Sequence, residues 1–150
     1  MEIAYRTFKY AGEFNKSVTI FTGTDGKDET VIHLIGRVDP IPMGVIRVEP
    51  RKTDVGVLAV NKDNKVQMVI ENIGDAPLKI SKIVSTSSKT VYFDAEKAGE
   101  MVLDAGERRA LKLTLKPVVP GRILDTILIF SDARNDIGKG YKALLAGEAR

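Results

Sequence analysis

Residues 65–80 read KVQMVIENIGDAPLKI, and the fold turns on them. Val66, Met68 and Ile70 alternate with Gln67, Val69 and Glu71, the two-residue period of a strand with one buried face. Asn72 keeps the phase of the inward residues. Gly74 is a residue able to take positive φ, Asp75 can brace a turn, and Pro77 blocks continued pairing before Leu78 and Ile80 begin a new alternation. The stretch therefore predicts two strands joined by a tight corner, with the Asn72 amide tying the turn to the backbone. A phosphate or metal loop is the competing reading, and nothing else in the chain supports it.

The same period recurs. RALKLTLKP (109–117) sets Leu111, Leu113 and Leu115 against Lys112 and Lys116, and RILDTILIF (122–130) sets Ile123, Ile127 and Ile129 in phase, with Asp125 as the exception. Between such runs stand EPRKTD, NKDNK, DAGE, VVPG and DARNDIGKG, all rich in turn residues. Short strands punctuated this way predict an all-β antiparallel sandwich. DAEKAGEM (94–101) is the best helical candidate, short and interrupted by Gly99.

The chain partly repeats itself. GEFNKSVTIFTG from Gly12 aligns with GRILDTILIFSD from Gly121, pairing Phe14 with Ile123, Val18 with Ile127, Ile20 with Ile129 and Phe21 with Phe130. LIGRV (34–38) answers LAGEA (145–149), and Ile3 and Tyr5 answer Leu113 and Leu115. Residues 1–38 thus read as the last strands of one module, 39–43 (with Pro40 and Pro42) as a linker, and 44–150 as a complete second module. Of nine aromatic residues five crowd the first 21 positions: Tyr5, Phe8, Tyr10, Phe14 and Phe21. So apolar a hairpin must bury its face, against either the 44–150 domain or a second chain, and the latter would make a homodimer through residues 1–38.

Four segments together resemble the bacterial immunoglobulin-like family known as domain of unknown function 1573, itself similar to the ASH, major-sperm-protein and PapD-type sandwiches. They are TDVGVLAVNKDNK (53–65) with Asp54 and Gly56; the corner with Asn72, Gly74, Pro77 and Leu78; LDAGERRALKLTLKP (103–117) with Gly106, where Ala105 stands in place of the family's proline; and PGRILDTILIFSD (120–132) with LLAGEA (144–149), carrying Gly121 and Gly147. The resemblance covers residues 44–150, and 1–38 match only the last strand pair. It implies an immunoglobulin-like sandwich of seven or eight strands, often one repeat among several in a periplasmic or cell-envelope protein. It implies no catalytic, cofactor-binding or metal-binding residues. Partners would be proteins, met by an edge strand or end loops; the alternative is a chaperone- or adaptor-like sandwich that captures extended peptides.

Composition narrows the classes further. With 43% hydrophobic and 29% charged residues the chain is an ordinary globule, and its net charge of +3 is too thin to point to nucleic acid. The absence of cysteine removes thiol chemistry, disulfides and cysteine-ligated zinc. No apolar run approaches the roughly 18 residues of a membrane span, so no membrane insertion is expected. MEIAYRTFKY lacks the pattern of a secretory signal; either the protein is cytoplasmic or Met1 begins a trimmed chain, and the repeat favours the second. The lone His33 falls out of phase with Leu34 and Val38, on the solvated face. Asp25, Asp28 and Glu29 in one loop, and Asp132 and Asp136 in its repeat counterpart, lack the ligand spacing of a dedicated calcium site and read as turn chemistry, with weak calcium binding as the lesser alternative. STSSKT (85–90) reads as a hydroxyl-rich connection between strands.

Overall fold

The structure is a computed structural model and describes residues 2–7, 9–23, 25 and 27–150. It divides into two compact units, 1–41 and 42–150. Phe8, one of the crowded aromatics, lies outside the described residues.

The first unit is a hairpin. β1 (Gly12–Thr22) pairs antiparallel with β2 (Asp28–Val38), from Gly12 opposite Val38 to Thr22 opposite Asp28. Phe14, Val18 and Ile20 share a half-buried face with Ile32, Leu34 and Val38. Residues 2–7 form no strand, so Ile3 and Tyr5 do not reproduce the strand of Leu113 and Leu115; Tyr5 instead packs its ring 4.8 Å from that of Phe14.

The second unit holds β3 (Ile46–Glu49), β4 (Lys52–Leu58), β5 (Asn64–Asn72), β6 (Leu78–Ser85), β7 (Val91–Asp94), β8 (Met101–Leu103), β9 (Arg108–Leu115), β10 (Gly121–Ser131) and β11 (Tyr141–Ala149). Its one helical turn, α1 (Ala95–Ala98), is capped by Asp94, whose side chain accepts from the Glu96 amide, and is stopped at Gly99 (φ 83°). One sheet has the order β3-β5-β9. The other runs β4-β11-β10-β6-β7, with β8 also paired to β6. Pairing is antiparallel except that β4 runs parallel to β11.

The alternation explains the layers. Val48, Val66, Met68, Ile70, Leu111, Leu113 and Leu115 of one sheet are buried with Ile80, Ile83, Ile127, Ile129, Ala143 and Leu145 of the other. On the outer face of the smaller sheet the opposite phase carries charge: Arg47 donates to Glu71 at 2.7 Å across β3 and β5, and Arg108 on β9 approaches Glu71 and Glu49. Such exposed pairs set strand register more than stability.

Candidate functional site

The corner that decides the fold is built around Asn72, which is fully buried. Its Oδ1 accepts from the amides of Val45 (3.1 Å) and Gly74 (3.0 Å), and its Nδ2 donates to the carbonyls of Ala76 (2.8 Å) and Leu103 (3.0 Å). Its main chain is held too: its carbonyl accepts from the Gly106 amide and its amide donates to the Glu107 carbonyl. The side chain thus joins the entry to β3, the turn after β5 and the end of β8, while the main chain of the same residue holds the β8–β9 turn. Every polar atom of the amide is committed to the backbone, so no donor or acceptor is left over for a ligand.

Gly74 serves differently from the expectation. It does not adopt positive φ; a Cβ there would lie 2.3 Å from the Met43 carbonyl oxygen and 2.5 Å from the Val45 nitrogen, so glycine is required by the close approach of the entering strand. Asp75 caps the same approach, its Oδ1 accepting from the Met43 amide at 2.8 Å. Gly106 is the position that does use positive φ (78°), in the turn Asp104–Glu107 closed by the Glu107 amide on the Asp104 carbonyl. Glu107 returns the favour by accepting from the Asp104 amide at 2.9 Å and pairing with Arg109. That amide first, and the Arg109 guanidinium second, hold its carboxyl below the usual range.

The other marker residues form a second cluster. Asp54 Oδ1 accepts from the Gly56 amide at 2.9 Å, and Gly56 (φ 64°) makes the bulge in β4 opposite Gly147 of β11. A Cβ on Gly147 would sit 2.5 Å from the Gly56 carbonyl oxygen, so the two glycines let a parallel edge strand close in. Gly121 opens β10 at φ 134°. Pro77 precedes β6, and Leu78 opens it, fully buried against Gly44. Asp54 and Gly56 thus meet Gly147 at one joint, Asn72, Gly74, Pro77, Leu78 and Gly106 gather at the corner, and Gly121 opens β10 beside a cleft it lines with Tyr92 and Asp125.

A feature the alternation left unexplained is Asp125, in the inward phase of β10. It is buried, accepts from Ser85 Oγ at 2.6 Å and from the Ser87 amide at 3.1 Å, and Ser85 in turn meets Ser88 Oγ at 2.9 Å. The hydroxyl run 85–90 is thus the partner of one buried carboxylate. Beside it a cleft of about 450 Å³ opens between Tyr92, Leu115, Pro117 and Ile123. Burial pushes the Tyr92 phenol up, with the Asp125 charge adding to it. The signal for this network was available in the sequence as a lone acid in an apolar phase, but its hydroxyl partners lie about forty residues away.

The remaining candidates are local. His33 is exposed, with Ser17 Oγ 3.2 Å from its Nδ1 across the strand pair, and no carboxylate is hydrogen-bonded to the ring among the described residues. A serine–histidine pair without an orienting acid or a cleft is not a triad. Asp136 is buried and accepts from the amides of Ser131, Gly138 and Gly140, while Asp132 accepts from the Lys79 amide. Those carboxylates organise the β10–β11 loop through backbone amides. Among the described residues no three His, Asp or Glu side chains gather as a metal site.

The two hairpins match in register. Gly12 faces Val38 as Gly121 faces Ala149, Phe14 faces Gly36 as Ile123 faces Gly147, and Val18 faces Ile32 as Ile127 faces Ala143. Both open on a glycine with positive φ. The inward residues Ile127, Ile129, Ala143 and Leu145 are fully buried under the three-stranded sheet; Val18, Ile20, Ile32 and Leu34 are only half-buried.

With the sandwich and its joints defined, solved structures can be compared. The ASH/PapD-like domain 7 of human CEP192 matches at a TM-score of 0.53 and 14% identity, over 81% of this chain and 96% of that one. The likeness is one of fold. A protein of unknown function from Porphyromonas gingivalis W83 (TM-score 0.46, 15% identity, 93% of this chain and 66% of that one) and the CARDB domain of PF1109 from Pyrococcus furiosus, solved with di-metal ions (0.44, 17%, 73% and 89%), align less well. No family model matches the chain, and no curated protein does. The fold is an immunoglobulin-like β-sandwich. No helix among the described residues is long and apolar enough to cross a membrane.

Proposed function

We propose that this chain is a non-catalytic immunoglobulin-like interaction module, related to the bacterial domain of unknown function 1573 and forming one repeat of a larger cell-envelope protein. In this reading residues 1–38 are the closing strands of a preceding module, residues 39–43 a linker and 44–150 a complete sandwich. The observation that carries it is the shared register of β1–β2 and β10–β11, combined with the half-covered inward face of the first hairpin. A half-covered sheet face, with strand edges that pair with no other strand among the described residues, recruits further strands. The partner is a protein: strands of a neighbouring module or of a second copy.

Light scattering after size exclusion, over a range of concentrations, tests the reading. The full chain is expected to self-associate, and Leu34→Asp, which charges the hairpin's inward face, is expected to release monomer. A chain that stays monomeric throughout, and loses no stability when residues 1–38 are deleted, overturns it.

A further inference from the structure

The end of the second unit remote from the Asn72 corner carries an uncommon combination of groups. The β9–β10 connection, residues 116–122, reads KPVVPGR, and its apex places Val118 at 70% and Val119 at 69% exposure between two prolines. The two valines are held at the surface by stiff flanks, on a loop that also forms the rim of the cleft beside Asp125. Leu124, 61% exposed, extends the apolar area.

Cations flank this tip. Lys116 and Arg122 stand at its base. The β4–β5 turn, carrying Lys62, is tied to it by the Asn61 amide on the Pro117 carbonyl, at 2.8 Å. The β6–β7 loop, carrying Lys89, is tied to the start of β10 by the Ser87 amide on Asp125 and by Ser87 Oγ on the Leu124 carbonyl. All four cations are exposed, and none makes an ion pair among the described residues. Of the acids at this end, Asp125 is buried, Glu148 is paired with Arg150, and Asp63 alone is exposed. Entry of the chain through Met43 and Gly44 lies at the opposite, corner end of the unit.

We infer that this end is a docking surface for an anionic lipid bilayer, with Val118 and Val119 entering the headgroup region and Lys62, Lys89, Lys116 and Arg122 over the lipid phosphates. The chemistry is that of peripheral attachment: a small apolar insertion combined with electrostatic attraction, neither sufficient alone. No spanning segment is involved. This surface lies at a loop tip rather than on a strand edge or the β1–β2 face, so it stands or falls independently of the proposed function.

The experiment is co-sedimentation of the full chain with vesicles of phosphatidylglycerol and phosphatidylcholine, against vesicles of phosphatidylcholine alone. Binding is expected only to the anionic vesicles and is expected to weaken as salt rises. Lys116→Gln with Arg122→Gln is expected to lower partitioning about twenty-fivefold, from roughly fivefold per cation. Val118→Ser with Val119→Ser is expected to lower it about tenfold while leaving the circular dichroism spectrum unchanged. Lys139→Gln, in the loop at the other end, is the control and is expected to bind like the wild type. Failure to sediment with anionic vesicles overturns the proposal, as does equal binding to both compositions or indifference to either double variant. Should polyglutamate bind through Lys116 and Arg122 while the vesicles do not, the surface serves an acidic protein and the lipid assignment is wrong.

Discussion

Replacing Asn72 by alanine isolates the corner from everything else in the molecule. The side chain is fully buried and makes four hydrogen bonds, to Val45, Gly74, Ala76 and Leu103. Each such bond contributes about 1 kcal/mol net, and an orphaned buried partner costs about 1–3 kcal/mol. Water can reach Gly74 and Ala76, which are not buried, but the Leu103 side of the bond is closed. The loss is therefore about 3–5 kcal/mol, a large share of the roughly 5–15 kcal/mol that holds a domain folded, and the melting temperature should fall by about 10 °C or more. Urea denaturation followed by far-ultraviolet circular dichroism measures it, with the slope of the transition checked for two-state behaviour. A shift below about 1 kcal/mol would refute the joint as described. So would a variant of unchanged stability that had lost a partner, for then Asn72 would be a recognition residue.

Two glycines separate close approach from backbone handedness. Gly74→Ala drives a Cβ to 2.3 Å from the Met43 carbonyl oxygen and should destabilise by about 3 kcal/mol or prevent folding, whereas Gly106→Ala meets no atom and should cost only the left-handed φ, about 1–2 kcal/mol; thermal melts of the pair should rank them in that order. The Glu107 carboxyl is held below its ordinary value by the Asp104 amide and by Arg109. Since its folded value is depressed, its contribution is present above about pH 4.3 and is lost as the pH falls through the folded value. Urea midpoints at neutral and acid pH should therefore converge in Glu107→Gln relative to wild type.

Much of this fold was legible because strands with one buried face write their period directly. Val66, Met68 and Ile70, and Leu111, Leu113 and Leu115, could be assigned to a core without any knowledge of their partners. The parity of the two hairpins was equally plain, since a register slip of one residue would have turned every inward side chain outward. What resisted reading were contacts between distant segments. Gly74 looked like a turn glycine, because only the approach of Met43 and Val45, about thirty residues earlier, shows why a Cβ is forbidden. Asp125 looked like a break in an apolar phase until Ser85 and Ser87 came alongside. The parallel pairing of β4 with β11 depends on Gly56 meeting Gly147, a juxtaposition that alternation in either strand does not encode. Residues 2–7 carry a strand-like alternation but form no strand, with Tyr5 drawn onto Phe14 instead.

Amide hydrogen exchange on the full chain, followed as a function of protein concentration, tests most directly whether β1–β2 is a hairpin that takes its cover from another protein surface. The strands β10 and β11, sealed beneath β3, β5 and β9, should be protected equally at every concentration. The amides of β1 and β2 should exchange fast in dilute solution and gain protection as the concentration rises. Protection of β1–β2 that already equals that of β10–β11 at the lowest concentration, and does not change, would contradict the account.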